Sequence, residues 1–130
     1  MNWPIFIAGV GAVFITIGHF AIGSKLYLKP MLLASFDDVP KKINHCVFHY
    51  VSVYLVLSTV FLLIIGIGYG NQTGNAWLVK FISINYGLFA MVQIVIAATS
   101  RIPKAIAKMF QWTLFVFVAV FAWVGLVQPG

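Results

Sequence analysis

Four apolar stretches, each long enough to cross a bilayer as a helix, follow one another with only short polar connectors between them. A hydrocarbon core takes about 20 apolar residues per helix. The stretches run over about 3–22, 43–67, 76–99 and 105–127 and use most of the 130 residues. What remains is too short for a second domain. The expectation is a single four-span membrane domain over residues 1–130, an all-α, four-helix transmembrane bundle. Charge points the same way. Soluble domains carry about 25% charged residues. This chain carries 8%, with 62% hydrophobic residues and a mean hydropathy of +1.04, and could not cover a water-facing surface.

The connectors set the expected boundaries. After the first span come Gly23 and Ser24, then Lys25-Leu-Tyr-Leu-Lys-Pro30, where the helix can run on past Gly23 with Lys25 and Lys29 snorkelling to the headgroups and Pro30 is expected to stop it or start a short interfacial turn. Residues 35–42 (SFDDVPKK) read as a loop, with Asp38 as helix cap and Pro40 in the turn after it. Gly66, Gly68 and Gly70 end the second span, and Asn71-Gln-Thr-Gly-Asn75 reads as a turn-rich loop. Arg101-Ile-Pro-Lys104 is a tight connector. Short connectors make consecutive helices antiparallel, so the simplest order is up-down-up-down. The first span is not preceded by a basic segment and reads as a retained helix.

Net charge is +6, from eight Lys/Arg against two acidic residues, Asp37 and Asp38. Lys25, Lys29, Lys41 and Lys42 fall in the first connector, and Arg101, Lys104 and Lys108 in or beside the third. The middle loop is uncharged. Cytoplasmic loops collect Lys and Arg, so these seven assign both connectors to the cytoplasm and both termini to the other side. They read as topology signals and contacts to anionic lipid, and not as a nucleic-acid surface. Lys80 is the exception, one turn into the third span at its outer end, where it can snorkel. Trp3, Tyr69, Trp77 and Trp123 form the expected outer aromatic belt, and Tyr27, Tyr50 and Trp112 the inner one. The expected location is a cell membrane, multi-pass, of the bacterial inner-membrane kind.

Ionisable and polar groups inside a membrane are costly and mark function by default. His19 lies near the inner end of the first span, and His45 and His49 in the first turns of the second. Antiparallel helices would put all three in one cytoplasmic-side layer. His45 and His49 are four apart and share a helix face, which Ser52 continues. Ala8, Ala12, Ile15, His19 and Gly23 share a face of the first span whose small residues suit close packing. In the third span Tyr86, Ala90, Gln93 and Ala97 form a stripe extended by Ser100; in the fourth, Lys108 and Gln111 share a face.

Several functions fit this layer. Neutral imidazole is the commonest metal ligand, so His19, His45 and His49 are candidate ligands for iron, copper or zinc, with Ser52, Gln93 and Gln111 as supporting groups. His19 with one of the pair could instead hold a haem axially. The same histidines suit a small oligomeric transporter or channel working by proton exchange. The chain is similar in size to minimal four-span multidrug transporters, but those depend on a Glu in the first helix and this chain has none. An accessory subunit of a larger membrane complex, with purely structural histidines, is the third reading. The expected partners are the lipid bilayer and either further copies of the chain or a larger membrane complex. No carboxylate lies in any span, which argues against a ferritin-type di-iron centre. Cys46, the sole cysteine, lies about 100° around the helix from His45, and a lone cysteine in an apolar helix is usually a small hydrophobe. No catalytic motif and no phosphate-binding Gly-rich loop is present.

Gly18-His19-Phe20-Ala21-Ile22-Gly23, then Lys29-Pro30-Met31-Leu32, then His49-Tyr50-Val51-Ser52 together resemble a group of small, uncharacterised bacterial four-span membrane proteins. These pair a Gly-His near the end of the first helix with a basic-Pro segment and a His-x-x-Ser in the second. The resemblance covers about the first 60 residues. It implies that His19 and His49 are the matched histidines and brings no activity with it. Ser24 stands where the pattern has an acidic residue, which removes a charge partner for the basic segment.

Overall fold

A computed structural model describes residues 1–128, and among them the chain is all-α with no strand. Four long helices carry the fold: α1 (Trp3–Leu33), α2 (Asp38–Gly66), α3 (Gln72–Thr99) and α4 (Gln111–Val127). One further turn, Ala105–Lys108, precedes α4. α1, α2 and α3 are long and apolar enough to cross a membrane; α4 is apolar but shorter, at 17 residues.

α1 starts where Asn2 caps it. The Asn2 side-chain oxygen accepts from the Ile5 N–H at 3.2 Å, and Pro4 falls in the first turn, where a missing N–H costs nothing. The helix continues past Gly23, as the snorkelling lysines allow, and is not stopped by Pro30. It runs to Leu33, and its ladder widens over His19–Leu28 to pairing between residues five apart, as in the bond from the Lys29 N–H to the Ser24 carbonyl. Proline in a regular helix clashes with the carbonyl four residues earlier. Here the ladder has already widened on the N-terminal side of Pro30, and the chain stays helical through it.

Three other boundaries also differ from expectation. α2 begins at Asp38, several residues before Ile43, with Asp37 in the preceding position. Asp38 therefore lies in the first turn, where a carboxylate meets the positive end of the helix dipole, and makes no cap. Its carboxylate is 3.8 Å from Lys41, whose ammonium also lies 5.4 Å from the Phe36 ring centroid. α3 begins at Gln72, because the Asn71 side chain accepts from the Thr73 and Gly74 N–H groups and turns the expected loop into a first turn. The fourth span is not continuous from Ala105. Lys104 adopts a left-handed conformation (φ 56°), and the helix breaks at Met109–Phe110 before restarting at Gln111.

Cross-helix bonds fix the directions. Asn2 meets Gly66, and His19 meets Ser52, so α1 and α2 are antiparallel. Asn2 meets Gly125, and Tyr27 meets Gln111, so α1 and α4 are antiparallel. Ser83 meets Ala119, and Gln93 meets Gln111, so α3 and α4 are antiparallel. α1 packs extensively on both α2 and α4, and α3 packs on α4. α2 and α3, although consecutive, keep their backbones further apart and meet through long side chains, Tyr54 packing on Phe89 and Tyr86 with ring centroids 5.3 and 5.9 Å apart. The close backbone contacts thus run in the order α2-α1-α4-α3, and aromatic side chains close the wider gap between α2 and α3.

Small residues permit the close contacts. Ala8, Ala12 and Ala122 are fully buried, and a Cβ on Gly66 would fall 2.6 Å from Phe6 Cα. Lipid gives helices no hydrophobic reason to associate, so this backbone-level fit and interhelical hydrogen bonds supply the attraction. Leu55, Leu62, Ile82 and Tyr86 complete the core.

Candidate functional site

The widened segment of α1 opens at His19 and turns its ring onto α2. His19 Nε2 lies 2.9 Å from Ser52 Oγ and 3.3 Å from the Phe48 carbonyl oxygen. The imidazole also stacks on the Phe48 ring, with centroids 4.1 Å apart. A carbonyl oxygen only accepts. Nε2 therefore carries the hydrogen and donates, while the Ser52 hydroxyl donates to Phe48 O at 3.0 Å. The nitrogen with a free lone pair is Nδ1.

Hydroxyls continue this seam outward. Thr16 and Thr59 meet at 3.0 Å, and Thr16 also donates to the Ala12 carbonyl at 2.8 Å. Ser58 meets the Tyr86 hydroxyl at 3.0 Å, the one hydrogen bond that ties α2 to α3 among the described residues. Thr16 and Thr59 carry no pattern of their own in the sequence. With His19 opposite Ser52, an antiparallel register puts Thr16 beside Leu55, whose carbonyl lies 3.4 Å from the Thr16 hydroxyl, and Thr59 reaches it from one turn further along α2.

His45 and His49 form a second, separate group. Their Nε2 atoms are 3.2 Å apart and their ring centroids 5.0 Å. His49 is exposed and His45 partly so. The expected convergence of all three histidines on one ligand set is not found: among the described residues no three His, Cys, Asp or Glu side chains are grouped to hold a metal. The cause is register and helical phase. His19 faces Phe48 and Ser52 across the α1–α2 contact, so its Nε2 is used in helix packing. The other two turn toward the uncovered side of α2. Ser52 accordingly supports His19 and not the pair. Cys46 is exposed near the pair on α2.

Gln93 and Gln111 do not flank the histidines either. They form a node around the break before α4. Gln93 Nε2 donates to Gln111 Oε1 at 2.8 Å and to the Met109 carbonyl at 3.2 Å. Gln111 Nε2 donates to the Tyr27 hydroxyl at 2.9 Å, and the Trp112 indole N–H donates to the Ile106 carbonyl at 3.1 Å. Carbonyls freed by the break are thus satisfied by side chains. Sequence signals for the break were weak, since neither Met109 nor Phe110 is a breaker.

Lys25, Lys29, Lys42, Arg101, Lys104 and Lys108 are exposed, and Lys41 is partly covered beside Asp38 and Phe36. Lys80 lies with its ammonium 5.3 Å from the Trp77 ring and 6.0 Å from Trp123, so two of the expected outer aromatics share its level. Such cation–π contacts hold a charge against an apolar wall. No protein-family model, curated protein or solved structure matches the chain.

Proposed function

We propose that the chain is a single-domain, multi-pass protein of a bacterial inner membrane, with four spans and both termini on the non-cytoplasmic side, that binds a transition-metal ion through His45 and His49. The fourth span is α4 with the turn before it. α4 alone is about 25 Å long, and a tilt-free span needs about 17 residues or more. The seven basic residues of the first and third connectors favour this orientation.

One observation carries the metal reading: the 3.2 Å separation of the two Nε2 atoms. Two nitrogens bound at about 2.0–2.1 Å to a tetrahedral ion stand about 3.3–3.4 Å apart. The separation is that of the N–H···N hydrogen bond the pair makes here, and it lies within about 0.2 Å of the bite of a chelate. Without metal, one Nε2–H donates to the other Nε2; with metal, each ring keeps its hydrogen on Nδ1 and turns a bare Nε2 to the ion. Imidazole donors select zinc, copper, nickel or iron over calcium and magnesium, which take oxygen. His19 in this reading is a packing residue that holds α1 to α2, and neither a metal ligand nor a haem ligand.

Titration of zinc into metal-stripped protein in mild detergent tests this. Binding that disappears in His45→Ala and in His49→Ala and survives in His19→Ala supports the reading. Zinc uptake unchanged in the two ligand variants refutes it.

A further inference from the structure

Lys80 is set apart from the other basic residues. It lies at the end of the bundle where α2 gives way to α3, and the other seven lie at the opposite end. Asp37 and Asp38, the only acidic residues in the chain, are at that opposite end too. The ammonium therefore has no carboxylate side chain within reach, and the one ion pair among the described residues is Lys41 with Asp38.

Two helices give Lys80 aromatic walls instead. Its ammonium lies 5.3 Å from the ring centroid of Trp77 on α3 and 6.0 Å from that of Trp123 on α4. Both rings are accessible, being 68% and 45% exposed. A cleft of about 270 Å³ opens beside them, walled further by Leu126 and Val127. One turn deeper the Ser83 hydroxyl donates to the Ala119 carbonyl at 2.7 Å, so the two helices that form the cleft are fastened to each other.

Chemistry and depth together restrict the occupant. An ammonium and an indole N–H only donate, and Trp112 is the one tryptophan whose indole finds an acceptor among the described residues. The cleft thus suits a group that is negative and rich in acceptor oxygens. Leu126 and Val127 suit an apolar portion joined to it. Lys80 already takes the ring faces that a choline or ethanolamine cation would use, which disfavours a headgroup carrying its own cation. α3 is about 42 Å long and a hydrocarbon core about 30 Å, which leaves about 6 Å of helix beyond each boundary. Lys80 stands about 12 Å along α3 from Gln72, so its backbone lies about 6 Å inside the boundary. A charge there is costly unless its stem carries it up to the level of the headgroup phosphates.

We propose that the cleft between Trp77, Lys80 and Trp123 binds the phosphodiester of one anionic phospholipid of the phosphatidylglycerol class. Lys80 donates to the phosphate oxygens, the two indoles flank them, and Leu126 and Val127 meet the apolar part of the lipid. The proposal rests on the membrane-spanning reading above and is independent of the metal site.

The test uses the full chain in phosphatidylcholine liposomes, with Trp3→Phe and Trp112→Phe so that only Trp77 and Trp123 emit. Phosphatidylglycerol with brominated acyl chains, added at low mole fraction, should be preferred at these indoles over brominated phosphatidylcholine by about fivefold, the factor of one lysine near an anionic surface. Lys80→Gln should abolish the preference and Lys80→Arg should keep it. Native mass spectrometry of the chain with all four tryptophans should retain one phosphatidylglycerol more than Lys80→Gln does. Inorganic phosphate should leave the quenching unchanged; displacement by it would make the ligand a free anion and overturn the lipid assignment. Equal quenching by the two lipids, or a preference and a lipid count that survive Lys80→Gln, overturns the site. Protein that does not float with the liposomes overturns the membrane-spanning reading itself.

Discussion

Gln93 Nε2 lies 2.8 Å from Gln111 Oε1 and shares its hydrogens with the Met109 carbonyl at 3.2 Å. The contact joins α3 to α4 at the point where the helical turn Ala105–Lys108 breaks off from α4. Gln111 passes it on to Tyr27 of α1, so three helices meet in one polar node. Gln93→Leu removes both bonds and leaves a carbonyl of the break unpaired. Interhelical hydrogen bonds in membranes average about 0.6 kcal/mol each, so the loss should be about 1–2 kcal/mol by reversible unfolding in mixed micelles. A double-mutant cycle of Gln93→Leu with Gln111→Leu should return a coupling of about 0.6 kcal/mol. Additive losses would mean that the node is not a unit.

His19 is predicted to matter for stability and not for metal. His19→Phe keeps the stack on Phe48 but loses the bond to Ser52, and should cost about 1 kcal/mol. His19→Ala also leaves a cavity, and should cost about 2–3 kcal/mol. Unfolding midpoints in detergent measure both. A fully stable His19→Ala would remove the packing role assigned to it.

Much of this molecule was legible in its sequence, but unevenly. The apolar stretches located the helices because a hydrocarbon solvent imposes one period and one length on them. The inward face of α1 was legible too, since Ala8, Ala12 and Ile15 are small or apolar at helical spacing, and they are buried. The helix order was not. Short connectors require neighbours in sequence to be near, yet α2 and α3 meet through the side chains of Tyr54, Ser58, Tyr86 and Phe89, while the close backbone contacts join α1 to α2 and α4, and α3 to α4. The histidines show the limit most clearly. Depth in the membrane placed all three in one layer, but the direction each ring points depends on the registry of α1 against α2. That registry is set by contacts such as Gly66 on Phe6, which no single-helix pattern reveals.

Gly66→Ala tests that registry. Its Cβ would come within 2.6–2.7 Å of the Phe6 backbone, which cannot swing aside as a side chain can. Separation of α1 from α2 should cost about 1–3 kcal/mol. Gly87→Ala, with nothing within 4 Å of the added carbon, should be neutral or slightly stabilising. Equal effects of the two would mean that α1 and α2 do not pack this closely.

Membrane orientation is checked by labelling single cysteines in a Cys46→Ser background. A thiol reagent that cannot cross the membrane should label Thr73→Cys from outside intact cells. It should reach Ser35→Cys only after the membrane is opened. The opposite pattern would invert the topology and move the histidine layer to the outer face.

The most direct measurement of the central claim is the metal content of the protein as purified without a tag, determined by elemental mass spectrometry beside the His45→Ala, His49→Ala and His19→Ala variants. The account predicts stoichiometric zinc, copper, nickel or iron in the wild type and in His19→Ala, and a loss of at least tenfold in the other two. Metal far below stoichiometric in the wild type after growth in supplemented medium, or metal kept by both ligand variants, would contradict it.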